Sequence, residues 1–75
     1  MDKYLNLDGD SGIVGYECGN NYIRVQFKDG SVYLYTYASA GSTNIEHMKS
    51  LAKSGRGLNE FINRSVRKNY ERKER

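Results

Sequence analysis

The sequence predicts an α+β domain, a three-stranded antiparallel β-meander followed by two α-helices packed on one face. Two alternating runs, Tyr22-Ile23-Arg24-Val25-Gln26-Phe27 and Ser31-Val32-Tyr33-Leu34-Tyr35-Thr36-Tyr37, flank Lys28-Asp29-Gly30. Asp-Gly between alternating runs is among the strongest hairpin signals. Apolar residues then recur at helical spacing in two later stretches, one from Ile45 and one from Leu58. Strands first and helices after them, in a chain of 75 residues, leave room for one α+β domain.

Residues 1–10 form a weakly ordered segment or short strand, in which Tyr4, Leu5 and Leu7 supply a strand or stapling turn before Asp8-Gly9-Asp10 breaks it. The folded domain spans residues 11–70. Ile13-Val14-Gly15-Tyr16 begins the first main strand, and Cys18-Gly19-Asn20-Asn21 supplies turn residues. If Asp29-Gly30 is a two-residue type I′ loop, Lys28 faces Ser31 and Val25 faces Leu34. Directly opposed residues share a face. One face would then carry Ile23, Val25, Phe27, Val32, Leu34 and Thr36 as the core beneath the helices. The other would carry Tyr22, Arg24, Gln26, Tyr33, Tyr35 and Tyr37.

The first helix starts near Ser42, with Thr43-Asn44-Ile45-Glu46 as a capping box and Ile45, Met48, Leu51 and Ala52 as its apolar stripe. Ser54-Gly55-Arg56-Gly57 ends it, with glycine available for a left-handed cap. The second helix presents Leu58, Phe61, Ile62 and Val66 on one face, with Tyr70 near its edge. Residues 71–75 are a charged tail expected to fray.

The chemistry this composition supports is limited. One Cys and one His cannot build a structural zinc site, and an internal disulfide is excluded. No cofactor or metal site is expected. His47 has Glu46 and Ser50 as near neighbours on one helix, without the convergent geometry a nucleophile and its base need. Cys18 has Glu17 beside it and no neighbouring cation to lower its pKa. No catalytic residue is assigned, and the domain is expected not to be an enzyme. No apolar run approaches the ~20 residues that span a bilayer, so a cytoplasmic domain without membrane contact is expected.

Charge is unevenly placed. Residues 1–48 carry three basic and six acidic groups, whereas residues 49–75 carry nine basic and three acidic groups. A basic C-terminal third suits an anionic partner such as nucleic acid, and it equally suits a solvated helix with a charged tail. Arg64, Arg67 and Lys68 fall within about one helical turn, and Arg56 precedes that helix. The face bearing Tyr33, Tyr35 and Tyr37 beside Arg24 could stack unpaired bases, and it could equally be covered by another element.

Several of these residues form a pattern. Val32-Tyr33-Leu34-Tyr35 after a Lys-Asp-Gly turn resembles the Tyr-x-Tyr signature of the KTSC domain. That small domain occurs at the C-terminus of some lysyl-tRNA synthetases and as free-standing bacterial proteins. The similarity runs from Gly15-Tyr16 through Gly55 to Phe61-Ile62-Asn63-Arg64-Ser65-Val66-Arg67 and Tyr70, which resembles the family's Phe-x-Asn-x-x-(Ile/Val)-Arg-x-x-Tyr ending. It covers residues 11–70. Ala38-Ser39-Ala40-Gly41-Ser42 departs from the Val-Pro often found there, and Gly57-Leu58 departs at the approach to the second helix. The family has no established function, and its synthetase context implies RNA binding. The expectation is therefore a non-enzymatic RNA- or nucleic-acid-binding module using Arg24, Tyr33, Tyr35, Tyr37, Arg56, Arg64, Arg67 and Lys68. The alternative is a protein–protein interaction module using the Tyr-rich face or a sheet edge.

Overall fold

The computed structural model describes residues 1–9 and 11–75; Asp10, within the predicted Asp8-Gly9-Asp10 break, lies outside the described residues. Strands β1 (Asp2–Lys3), β2 (Ile13–Cys18), β3 (Tyr22–Phe27), β4 (Val32–Thr36) and β5 (Arg72–Lys73) form one antiparallel sheet in sequence order. The predicted meander is β2-β3-β4, and the two-residue strands extend it at both edges. The C-terminal residues expected to fray are thus paired. Glu71 and Glu74 donate their backbone N–H groups to Leu34 and Val32 carbonyls at 2.6 and 2.7 Å, and the Arg24 guanidinium holds the Glu74 carboxylate at 2.7 Å.

The β3-β4 register differs by one residue from the type I′ expectation. Val25 pairs with Tyr33 and Ile23 with Tyr35, while Arg24 pairs with Leu34 and Gln26 with Val32. Phe27 and Ser31 close a three-residue loop: Gly30 N–H donates to the Phe27 carbonyl and Phe27 N–H to the Ser31 carbonyl, both at 2.9 Å. Only Gly30 takes positive φ there, at 89°. This is a type I turn followed by a left-handed glycine. It spares Asp29 the strain that a type I′ turn would impose, and Asp29 Oδ1 instead accepts from the Ser31 N–H and hydroxyl at 2.9 and 2.6 Å.

Because strand side chains alternate, that single residue exchanges the faces of β4. Tyr33 and Tyr35 lie on the helix side with Ile23 and Val25. Val32 and Leu34 are buried on the opposite face, outside the main core cluster. The predicted core face of Ile23, Val25, Phe27, Val32 and Leu34 is corrected accordingly, as is the single exposed Tyr face. Tyr35 is only 2% exposed, and burial pushes its hydroxyl pKa up to about 12, keeping it neutral.

Helix α1 (Tyr37–Ala40) follows β4 directly, and the capping box falls here rather than at Thr43–Glu46. The Thr36 hydroxyl accepts from the Ser39 N–H, and the Ser39 hydroxyl accepts from the Thr36 N–H. Helix α2 (Ser42–Ser54) starts at Gly41 with no side-chain cap and ends at Gly55 in the left-handed conformation. It buries Ile45, Met48 and Ala52 against β3 and β4. Helix α3 (Leu58–Phe61) runs into a π-helical turn, Ile62–Val66, and Leu58, Ile62 and Val66 complete the core.

The N-terminal segment locks the corner between the helices. The Leu58 N–H donates to the hydroxyl of buried Tyr4 at 3.3 Å, satisfying a backbone donor at a helix start. Leu7 N–H donates to the Gly55 carbonyl at 2.8 Å. A Cβ at Gly55 would stand 2.8 Å from the Leu5 Cβ, so glycine answers both the close approach and the positive φ.

Candidate nucleic-acid interface

On the helix side, β4 and the π turn leave a groove of about 350 Å³ beside the core. Tyr33 and Tyr35 reach it from the strand through the register just described, and Asn63, Arg67 and Tyr70 reach it from the C-terminal segment. Positions 63, 67 and 70 follow helical spacing, which puts them on one stripe. A π turn, a rare geometry that often accompanies functional sites, carries Ile62 and Asn63 along the groove wall.

The walls are aromatic. Tyr33 meets Phe27 edge-on at 5.7 Å between ring centroids and Tyr70 at 4.8 Å. Tyr35 meets Tyr70 at 6.3 Å from within the core. Tyr33 is half-buried and Tyr70 is 37% exposed, so both offer ring surface to a ligand. Such edge-to-face contacts fix ring orientation and favour the folded arrangement by about 0.5–1.5 kcal/mol each beyond area burial.

The rim is basic. Arg67 and Lys68 are exposed, and among the described residues neither is engaged in an ion pair. Lys73 Nζ stands 5.8 Å from the Tyr33 ring centroid, within cation–π range. Asp29 also lines the groove; its hydrogen bonds from Ser31 hold its carboxyl below the usual range, so it opposes the three cations with one negative charge.

The predicted residues divide into three groups. Tyr33, Tyr35, Arg67 and Lys68 converge on this groove, with Tyr35 as its buried support. Arg56 and Arg64 line an adjacent cleft. Arg24 and Tyr37 line neither. Arg24 lies on the other sheet face between Glu17 and Glu74, at 2.9 and 2.7 Å, with its guanidinium 4.9 Å from the Tyr22 ring centroid. Tyr37 begins α1 and donates its hydroxyl to Glu46 at 2.6 Å. Phe27, Asn63, Tyr70 and Lys73 were absent from the predicted site. Asn63 and Tyr70 belonged to the motif resemblance, but no pattern in the sequence brought Lys73 to Tyr33.

No family model, curated protein or solved structure matches the chain.

The remaining reactive side chains give no competing centre. Burial pushes the Cys18 thiol pKa up and outweighs the opposing effect of Lys53 and Lys49. His47 is exposed and packs its ring against Phe61 at 4.6 Å. Among the described residues no cluster of His, Cys, Asp and Glu could hold a metal ion, and no helix is long and apolar enough to cross a membrane.

Proposed function

We propose that this chain is a non-enzymatic RNA-binding module that seats an unpaired base in the Tyr33–Tyr70 groove. The observation that carries this reading is the pairing of accessible aromatic walls with the unpaired cations Arg67 and Lys68 on one rim. Single-strand binders combine these features, since a base stacks on an aromatic ring while its backbone follows positive charge. Resemblance to the KTSC domain supports the same reading: Tyr33, Tyr35, Asn63, Arg67 and Tyr70, residues of its motifs, all line this groove.

Docking of a protein segment in the groove is the second reading, favoured by exposed Tyr70 beside Arg67, residue types common in interface hot spots. Sheet-edge docking is less suited, because the two-residue charged strands Asp2–Lys3 and Arg72–Lys73 blunt the edges. Titration with a labelled single-stranded oligoribonucleotide across a salt series separates the readings. RNA binding should weaken steeply as salt rises, with a log–log slope of about −0.7 per phosphate contacted. Absence of binding at low salt would remove the RNA reading and leave protein docking.

A further inference from the structure

Next to the aromatic groove lies a second cleft of about 440 Å³, polar where the first is aromatic. Arg56, Arg64, Asp8, Glu60 and Asn59 line it, and Asn63 borders both clefts. A base held in the groove has its flanking phosphates at the groove mouth. On one side stand Arg67 and Lys68. On the other, the path crosses Asn63 to Arg64, its neighbour in sequence, and then to Arg56.

Both guanidiniums face carboxylates across short gaps, Arg64 to Glu60 at 3.3 Å and Arg56 to Asp8 at 3.9 Å. All four side chains are more than half exposed, and exposed pairs of this kind are worth little. An arriving phosphodiester could therefore take the guanidiniums, while Asp8 and Glu60 oppose its approach. We infer that the ligand is an RNA strand longer than one nucleotide, whose phosphodiester next to the stacked base enters the Arg56–Arg64 cleft, and that Asp8 and Glu60 hold its affinity down. This rests on the RNA reading above and adds the strand's path and a built-in restraint on its affinity.

The test uses the full chain and a labelled oligouridylate, with uridine monophosphate as the short competitor. R56Q/R64Q should weaken oligouridylate binding about tenfold or more, the scale of losing charge-assisted hydrogen bonds. It should also flatten the log–log salt slope by about 1.4, or about 0.7 for each lost phosphate contact. D8N/E60Q should bind the oligonucleotide more tightly than wild type, a gain that a damaged fold could not produce. Neither pair should alter monophosphate binding to the same degree. Unchanged affinity and slope in both variants, with R67Q/K68Q still impaired, would overturn the strand path while leaving the groove as an RNA site. No binding by wild type would overturn both.

Discussion

Tyr33 and Tyr70 meet edge to face with ring centroids 4.8 Å apart, joining β4 to the segment that follows the π turn. The residue after Tyr70 begins the pairing that holds this wall: Glu71 N–H donates to Leu34 O at 2.6 Å, and its carboxylate accepts from the Thr36 hydroxyl at 2.9 Å. Arg24, on the opposite sheet face, clamps Glu74 farther along the same strand. Arg24 therefore serves the groove by positioning its outer wall.

That clamp is pH-dependent. The hydrogen bond from Arg24 holds the Glu74 carboxyl below its ordinary value of 4.5. A depressed folded-state pKa stabilises the folded state above the ordinary value and is lost as pH falls through the folded one. Amide-exchange protection at Glu71 and Glu74 should therefore decline as acid is added below pH 4.5. In Glu74→Gln it should be lower at neutral pH and less sensitive to acid. Undiminished wild-type protection at about pH 3 would contradict the clamp.

The β-register predicts an order of mutational costs. Tyr35 lies in the central core, whereas Leu34 is covered on the far face. Tyr35→Ala should lower unfolding free energy by about 3–5 kcal/mol, as large aromatic truncations in cores do. Leu34→Ala should cost less, about 1–2 kcal/mol from lost apolar burial. Chemical denaturation of the two variants reads the order, and a larger loss at Leu34 would restore the two-residue loop.

Those faces show how far this sequence can be read. Val32, Leu34, Tyr33 and Tyr35 make β4 apolar or aromatic on both sides, so alternation alone does not choose its inner face. Asp29-Gly30 suits a two-residue or a three-residue loop, and these differ by one residue in register. By contrast, Ile45, Met48 and Ala52, then Leu58, Ile62 and Val66, repeat at helical spacing and are buried as expected. Gly55 is the left-handed cap expected of it. Strand β5 was hidden because its pairing uses backbone groups, and five successive charged residues carry no strand pattern. Tyr4 was hidden because its partner, the Leu58 N–H, is distant in the chain.

The turn itself can be tested without touching the core. Since Asp29 has ordinary negative φ and its carboxylate receives two hydrogen bonds, Asp29→Gly should destabilise by about 1 kcal/mol through chain entropy and lost bonds. A type I′ turn predicts the opposite, because glycine would relieve strain at positive φ. A raised thermal midpoint for Asp29→Gly would contradict the three-residue loop.

Stacking and charge should separate in the binding variants. Tyr70→Leu should weaken single-stranded RNA binding by about 1–3 kcal/mol, the scale of one stacked base, with little change in salt slope. Arg67→Gln should flatten that slope by about 0.7. Fluorescence anisotropy at several salt concentrations measures both, and exchange of these two signatures would contradict the assigned roles.

The most direct measurement is a residue-resolved NMR titration of the chain with short single-stranded RNA at low salt. The groove reading predicts shifts centred on Tyr33, Asn63, Arg67, Lys68 and Tyr70, continuing to Arg64 and Arg56 as the oligonucleotide lengthens. Shifts confined to the opposite sheet face around Arg24, or no shifts at all, would contradict it.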